Sequence, residues 1–275
     1  MPGEKLEDGI GAARELQTQG IGSILTCLGE NVSQTAEAES VRDQYIQAQA
    51  QIRAQGLATT VSVKLTQLGL DLDKEFCYAN LQKIIEASAP TSTLWIDMED
   101  SSYVDATLNI YRRARAAYPN VGICLQAYLR RTADDLASLL PLGPTIRLVK
   151  GAYSEPAERA FPHKTDVDKN LFALTQQLLS ESSVRAGARV AVATHDITLI
   201  QRTKEFVSSL GLPKTALEFQ MLYGIQRPEQ KRLAEEGWHP VVLVSYGSYW
   251  FPWFMRRLAE RPANLLFLVQ NLWSH

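Results

Sequence analysis

Six apolar segments of the sequence end in charged or amide residues. Lys64 ends VSVK, Asp97 ends LWID, Gln126 ends ICLQ, Arg147 and Lys150 lie in TIRLVK, His195 and Asp196 end AVATHD, and Gln220 ends LEFQ. One such residue is usually a solvated strand end. Six strand ends with the same pattern predict that these side chains meet at one end of the folded protein. Lys64, Arg147, Lys150 and His195 would face Asp97 there. Excess positive charge in a low-dielectric cleft suits an anionic ligand.

A second cationic group lies near the C-terminus, in SYGSYWFPWFMRRLAERPANLLF. Arg256 and Arg257 are adjacent, and neighbours on a helix point about 100° apart, so the two cannot share one buried face. Two interpretations stay open. They are either solvated arginines or a clamp for a carboxylate, whose geometry guanidinium groups match.

The elements that must position these residues alternate between short apolar runs and longer amphipathic segments. Eight runs are typical of parallel strands buried on both faces. They lie at 22–28, 59–65, 93–98, 121–126, 145–149, 189–194, 216–221 and 241–245. A spacing of roughly 25–40 residues between runs is what βαβ crossovers require. No element is predicted before residue 22. In the fourth crossover, Thr132 and Asp135 have the spacing of a helix capping box.

The strand count favours a closed barrel over an open sheet. An open nucleotide-binding sheet usually carries a glycine-rich first turn, and neither G-x-G-x-x-G nor a Walker loop is present. Function in a (β/α)8 barrel collects at the C-terminal ends of the strands, where the polar residues fall. The sequence therefore predicts an α/β protein with a (β/α)8 barrel, formed by residues 1–275 as a single domain.

Composition narrows the classes of function. Lys plus Arg is 28 and Asp plus Glu is 30, giving a net charge of −2, which argues against nucleic-acid binding. The three cysteines form no C-x-x-C pair, so neither a disulfide framework nor a metal site is expected. No signal peptide or membrane-spanning stretch is visible. These features predict a cytoplasmic protein in which any contact with a membrane is peripheral.

Several strings, taken in order, resemble those of the proline dehydrogenase family, in its short monofunctional bacterial branch. They are SVKLTQLGLDLD, WIDMED, QAY, RLVKGAY, ATHD, EFQMLYG and FMRRLAERPANLLF. The resemblance implies a distorted (β/α)8 barrel that binds FAD non-covalently, with a C-terminal helix over the mouth and a reduced N-terminal arm. It also implies oxidation of L-proline to the cyclic imine pyrroline-5-carboxylate by hydride transfer to the flavin N5. The electrons then pass to a quinone or another acceptor.

The resemblance also implies roles for individual residues. Cofactor contacts fall on Gln126, Arg147, Lys150, Gly151, Ala152, Thr194 and His195, with Gln126 as a donor to the isoalloxazine edge. Substrate contacts fall on Lys64, Ala152, Tyr153, Leu222, Leu243, Tyr246, Arg256 and Arg257. The catalytic set is Lys64, Asp97, Arg147, Arg256 and Arg257. Glu30 pairs with Arg256 as a gate when the site closes.

One stretch departs from the family pattern. The eighth strand of the family usually ends in Tyr-x-Pro-x-Gly, whereas this chain has LVSYG, which places Leu243 at the tyrosine and Ser245 at the proline. Loss of that tyrosine predicts an altered pocket that admits hydroxyproline or another substituted proline. Alternatively, Tyr246 refills the space.

Two other classes of function compete with the flavoenzyme. A phosphate-binding barrel enzyme would need glycine-rich turns after strands seven and eight, which are not apparent. A non-catalytic ligand-binding barrel is the other alternative.

Overall fold

The computed structural model of the protein describes residues 1–251. The strands are β1 Gly22–Cys27, β2 Thr59–Val63, β3 Leu94–Ile96, β4 Val121–Gln126, β5 Thr145–Val149, β6 Arg189–Ala193, β7 Leu217–Leu222 and β8 His239–Tyr246. The helices are α1 Leu6–Thr18, α2 Thr35–Ala54, α3 Lys74–Ala87, α4 Val104–Ala117, α5 Thr132–Leu139, α6 Lys164–Leu178, α7 Glu181–Arg185, α8 Ile197–Ser209 and α9 Arg227–Glu235. Short 3₁₀ helices lie at Thr66–Leu68, Leu140–Leu142 and Lys214–Ala216.

Each strand pairs in parallel with the next, and β8 pairs with β1, so the sheet closes into a barrel. The predicted (β/α)8 fold is confirmed. The runs at 121–126 and 145–149 match β4 and β5, and the other predicted strands differ at their ends by only one or two residues. Periodicity locates these strands well because both faces of each are buried, one inside the barrel and one under the helices.

Alternation along the strands divides the core into two parts. Ile24, Trp95, Ala191 and Val241 form a small cluster inside the barrel, against which Leu243 packs. A much larger cluster lies between the strands and the surrounding helices. The inner cluster forms a floor for the polar side chains nearer the mouth.

Helix α1 was not predicted. It packs against β1 and β8, the position that the helix after β8 takes in a regular barrel. Gly9 and Gly11 weaken its helical signal. The structure explains Gly9, since a Cβ there would lie 3.3 Å from Leu25 and 3.4 Å from Tyr246. The predicted C-terminal helix over the mouth lies outside the described residues.

The capping box predicted at Thr132 is wrong. Helix α5 begins one residue earlier than that pattern requires, with Arg131 at the N-cap. The Thr132 hydroxyl donates to the backbone oxygen of Gln126 at 2.5 Å, and Asp135 accepts from Arg131 at 2.8 Å. A long-range bond to the end of β4 thus replaces the local cap.

Candidate active site

A cavity of about 720 Å³ opens at the C-terminal ends of the strands. Its volume is within the range of small-molecule sites. Its lining within the described residues comprises Thr26, Leu28, Glu30, Lys64, Asp97, Met98, Cys124, Gln126, Arg147, Val149, Lys150, Gly151, Ala152, Tyr153, Lys164, Ala193, Thr194, His195, Asp196, Gln220, Met221, Leu222, Leu243 and Ser245. All six polar strand ends singled out in the sequence contribute to it.

Asp97 is the centre of a cluster that we call the inner network, formed by Ser62, Lys64, Asp97 and Arg147. Its Oδ1 accepts from the Ser62 hydroxyl at 2.6 Å and from Arg147 Nη1 at 2.7 Å. Its Oδ2 accepts from Lys64 Nζ at 3.4 Å. Arg147 Nη1 also donates to the Ser62 hydroxyl at 3.1 Å. Three strands, β2, β3 and β5, thus hold two cations on one carboxylate.

The charge state of the inner network follows from its contacts. Burial alone would raise the pKa of Asp97, but Lys64, Arg147 and the hydrogen bond from Ser62 outweigh it and bring that pKa below its ordinary value. Asp97 is therefore ionised at neutral pH. With both cations charged, the network carries one net positive charge beside the cavity.

The floor of the barrel fixes the Arg147 guanidinium. Its carbon lies 4.6 Å from the centre of the Trp95 ring, a cation–π contact. Trp95 can lie flat inside the barrel because its partner on β4 is Gly122. A Cβ at Gly122 would lie 2.7 Å from the Trp95 ring. The Trp95–Gly122 pair therefore supports the arginine from below.

Four cavity residues keep buried polar atoms without a hydrogen-bond partner. They are Arg147 at Nε and Nη2, Gln126 at Oε1, and Thr26 and Ser245 at their hydroxyls. Gln126 Nε2 donates one of its two N–H groups to the backbone oxygen of Glu99 at 2.9 Å, and its Oε1 remains as an acceptor. A buried donor pair and a buried acceptor fit the edge of a flavin ring, which carries both acceptors and an N–H group.

A second charged cluster lies nearer the surface, and we call it the rim ring: Lys150, Lys164, Asp168 and Asp196. Lys150 Nζ lies 2.5 Å from Asp168 Oδ1 and 3.1 Å from Asp196 Oδ2. Lys164 pairs with Asp196 at 2.8 Å and also with Asp168. Lysines and aspartates thus alternate between the end of β5, the start of α6 and the start of α8.

Backbone contacts orient the end of β6. His195 Nε2 accepts from the Leu222 backbone N–H at 2.9 Å, so the neutral ring carries its proton on Nδ1. Thr194 Oγ1 accepts from the Asp196 backbone N–H at 3.2 Å. Both side chains line the cavity in fixed orientations.

The β5–α6 connection passes over the cavity at Gly151, Ala152 and Tyr153. Gly151 has φ of +122°, and a Cβ there would lie 2.3 Å from the Tyr128 ring. Only glycine accepts both constraints. This close contact seats Ala152 and Tyr153 where they line the cavity.

Tyr246 is not in the predicted place. Leu243 and Ser245 face the cavity, as does Leu222 on β7. Tyr246 has the opposite parity on β8, so it points outward and packs against Gly9 of α1. The assignment of Tyr246 to the substrate site is therefore corrected, and Tyr246 does not refill the space at Leu243.

The remaining predicted residues divide into two groups. Glu30 lines the cavity, whereas Arg256 and Arg257 lie outside the described residues, and so does the predicted Glu30–Arg256 pair. Sequence analysis missed Thr26, Leu28, Met98, Cys124, Val149, Lys164, Ala193 and Met221. Strand parity could have found Thr26 and Cys124, which lie two residues from other inward-facing positions. Lys164 reaches the site from α6 and left no signal.

Two further observations concern metal binding and membrane insertion. No group of three or more His, Cys, Asp or Glu residues among residues 1–251 is arranged to hold a metal ion. Within the same range no helix is long and apolar enough to cross a membrane.

Comparison with known proteins matches the proline dehydrogenase sequence family over residues 10–270. The chain is 39% identical over 272 residues to proline dehydrogenase 1 of Bacillus subtilis subsp. natto, covering 98% of this chain and 88% of that one. It is 41% identical over 276 residues to proline dehydrogenase of Deinococcus radiodurans, covering 98% and 87%.

Solved structures agree in fold. Proline utilization A of Bdellovibrio bacteriovorus superposes with a TM-score of 0.85 at 23% identity, over 94% of this chain and 32% of that longer one. Proline utilization A of Corynebacterium freiburgense gives a TM-score of 0.79 at 20% identity, over 93% and 30%. With the family match over residues 10–270 and identities near 40% over almost the whole length, the chain belongs to the proline dehydrogenase family.

Proposed function

We propose that this protein oxidises L-proline at the ring carbon beside the nitrogen, with FAD bound non-covalently in the cavity, and releases the pyrroline-5-carboxylate imine. Family membership implies a flavin and a small-molecule substrate. The observation that carries the proposal is the inner network, two cations sharing the buried Asp97 at the cavity.

The cofactor would be held by residues from three strand ends, those of β4, β5 and β6. Gln126 and Arg147 offer the unpartnered acceptor and donors described above. Lys150, Gly151, Ala152, Thr194 and His195 line the same cavity. When bound, the flavin supplies hydride acceptance and electron transfer, while the protein supplies position and electrostatics.

The substrate carboxylate requires cations, and we propose that Lys64, Arg256 and Arg257 provide them. These three residues match the carboxylate-binding positions that the family resemblance assigns in SVK and FMRR. Glu30, the proposed gate that would pair with Arg256, lines the cavity. Fixing the carboxylate orients the ring, which is an entropic contribution to catalysis.

The inner network also bears on the substrate amine. An amine gives up hydride from the adjacent carbon only when its nitrogen is neutral. The net positive charge of Lys64, Asp97 and Arg147 disfavours a bound ammonium. The same charge would stabilise the negative charge that the bound flavin gains when it accepts the hydride.

A spectrum tests this function. The purified protein, reconstituted with FAD, should show a flavin absorption band, and anaerobic L-proline should bleach it. An unchanged band with proline would refute proline oxidation. The absence of any band after reconstitution would refute the flavin site.

A second candidate substrate is hydroxyproline or another substituted proline, and the observation that favours it is the wall at β8. Leu243 is only half-buried, the Ser245 hydroxyl has no hydrogen-bond partner, and Tyr246 faces away. The wall therefore offers room and a polar atom where the family usually has tyrosine and proline. The ratio of kcat/KM for 4-hydroxyproline to that for proline decides between them. Leu243→Tyr should shift the ratio towards proline, and an unchanged ratio would refute this role.

We further propose that residues 1–275 form one domain. A quinone or another acceptor would reoxidise the flavin, through at most peripheral contact with a membrane. An active enzyme would also exclude the alternative of a non-catalytic ligand-binding barrel.

A further inference from the structure

A second carboxylate lies behind the cavity wall, just past the end of β3. Glu99 is 3% exposed and does not line the cavity. Its Oε1 accepts from the Thr66 backbone N–H at 3.1 Å, and its Oε2 accepts from the Thr66 hydroxyl at 2.5 Å. Both carboxylate oxygens are thus committed to one residue of the neighbouring strand end.

Thr66 in turn accepts hydrogen bonds from the loop that follows β1. Its hydroxyl accepts from the Asn31 backbone N–H at 3.1 Å, and its backbone oxygen accepts from the Val32 N–H at 3.3 Å. Asn31 directly follows Glu30, which lines the cavity. Thr66 itself comes two residues after Lys64. The Glu99 carboxylate therefore holds the ends of β1 and β2 in register.

The backbone of Glu99 connects the same segment to the end of β4. Its carbonyl accepts from Gln126 Nε2 at 2.9 Å, which leaves Oε1 of that amide as the acceptor noted above. Asp97 lies two residues before Glu99 on the same segment. The ladder between β2 and β3 ends at Val63 and Ile96, so beyond that point these hydrogen bonds replace the sheet.

We propose that Glu99 is a positioning residue of this enzyme: through Thr66 and its own carbonyl it fixes the strand ends that carry Glu30, Lys64, Asp97 and Gln126. Its kinetic consequence rests on the proposed function, but its structural consequence does not. Glu99 touches neither substrate nor cofactor, and it acts through the residues that do.

The two hydrogen bonds from Thr66 favour the carboxylate form of Glu99, because both Thr66 donors point at its oxygens. A proton on Oε2 would compete with the Thr66 hydroxyl for that contact. Burial raises the pKa of Glu99 to about 7, against the lowering effect of the Thr66 hydrogen bonds. The neighbouring charged and titratable groups are Lys64, Glu30, Cys77 and Tyr103. The wild-type KM for proline should therefore fall as the pH rises through about 7.

Four variants test the proposal in the flavin-loaded protein. Glu99→Gln replaces the carboxylate, Thr66→Val removes the hydroxyl, and Thr66→Ser keeps it. Glu229→Gln is the matched control, because Glu229 is equally buried but pairs with Arg232 on α9, away from the cavity. The readouts are amide hydrogen exchange of Asn31 and Val32, and kcat and KM for proline as a function of pH.

Loss of the hydrogen bonds between Thr66 and the Glu99 carboxylate should locally open the loop after β1, which contains Asn31 and Val32. We expect exchange at Asn31 to speed up about tenfold or more in Glu99→Gln and Thr66→Val. The KM for proline should rise about tenfold, with a smaller change in kcat, and the inflexion in KM near pH 7 should disappear in Glu99→Gln. Thr66→Ser should restore the wild-type values, and Glu229→Gln should leave them unchanged.

Two results would overturn the proposal. One is wild-type exchange at Asn31 in both Glu99→Gln and Thr66→Val. The other is exchange that is faster to the same extent throughout the barrel, rather than mainly at Asn31 and Val32, which would reduce Glu99 to a general structural role. If wild-type protein fails to oxidise proline, the proposed function falls, while the exchange at Asn31 still decides whether Glu99 positions the loop.

Discussion

The inner network and the rim ring both place two cations against carboxylates, but in opposite environments. In the inner network, the side chains of Arg147, Lys64 and Asp97 are 4%, 13% and 15% exposed, and all three contact each other or Ser62. In the rim ring, Lys164 is 68% exposed and the two aspartates are about a quarter exposed. Desolvation makes each charge in the inner network depend on its partners. Solvent screens the rim ring, which can release its cations to an incoming ligand at little cost.

The two clusters therefore suit different tasks: the inner network suits the positioning of reacting atoms, and the rim ring suits the attraction of a charged ligand. Residues that set the position of reacting atoms need partners that cannot rearrange, and buried ion pairs on three strands supply them. Residues that attract an anionic cofactor need charges that can change partners. The five predictions below test this division, beginning with the largest expected effect on stability.

Removing Asp97 should have the largest effect. Asp97→Ala leaves the buried Arg147 and the half-buried Lys64 without their counter-charge, so we expect a loss of about 3–5 kcal/mol in the free energy of unfolding. Proline-dependent flavin reduction should slow by about 100-fold or more. Urea unfolding and stopped-flow absorbance measure the two effects. A loss below 1 kcal/mol would contradict the burial argument.

The free energy of unfolding should depend on pH differently for Glu99, which lies behind the inner network, and for Asp196 in the rim ring. Glu99 has a raised pKa, about 7, so the folded state retains its proton where the unfolded state has lost it. The stability this provides is fully present below pH 4.5 and is lost as the pH rises to about 7, for a total of about 3 kcal/mol. The difference in unfolding free energy between wild type and Glu99→Gln, measured from pH 5 to 8, should show this slope.

The stability that the rim ring contributes should depend on pH in the opposite direction. Hydrogen bonds from Lys164 and Lys150 lower the pKa of Asp196, against the opposing effect of burial. The stability from Asp196 is therefore present above its unfolded pKa and is lost only as the pH falls through its lower folded pKa. Between pH 5 and 8, Asp196→Asn should show no slope relative to wild type. A slope in this range would contradict the division between the two regions.

Crowding the floor under Arg147 should have an intermediate effect. In Gly122→Ala, the added Cβ would lie 2.7 Å from Trp95, so we expect a loss of about 1–3 kcal/mol and slower flavin reduction. Gly11→Ala is the control, because a Cβ at Gly11 on α1 meets nothing within 4 Å. It should leave activity unchanged and stabilise the helix by up to about 1 kcal/mol. Equal effects of the two substitutions would contradict the role of the Trp95–Gly122 pair.

Loosening the rim ring should have the smallest effect on folding. Asp168→Asn should change the free energy of unfolding by about 1 kcal/mol or less, and 1 M NaCl should erase the difference. The same salt should leave the Asp97→Ala loss largely intact. Unfolding curves at two ionic strengths measure both. An Asp168→Asn effect that persists in high salt would contradict a screened ring.

The sequence predicted those parts of the site that depend on strand parity and strand ends. Lys64, Asp97, Gln126 and Arg147 could be placed together because each ends, or lies within, a recognisable buried strand. Tyr246 was misplaced because its assignment followed proximity in sequence, whereas alternation turns it outward. Counting from Leu243 and Ser245 would have given the observed orientation.

Contacts between elements distant in sequence could not be predicted. The bond from Thr132 to the Gln126 backbone defeats a local capping pattern. Helix α1 has a weak intrinsic signal and is stabilised by packing against β1 and β8. The role of Glu99 depends on Thr66 and Asn31, which are 33 and 68 positions away in the sequence, and only the closed barrel brings them together.

The most direct test of the proposed activity is a single turnover without oxygen. FAD-loaded protein is mixed with L-proline, the flavin absorbance is followed, and the imine is trapped with an aromatic amino-aldehyde and quantified. The account predicts one imine formed for each flavin reduced. A flavin that stays oxidised with both proline and 4-hydroxyproline, or reduction without stoichiometric imine, would contradict it.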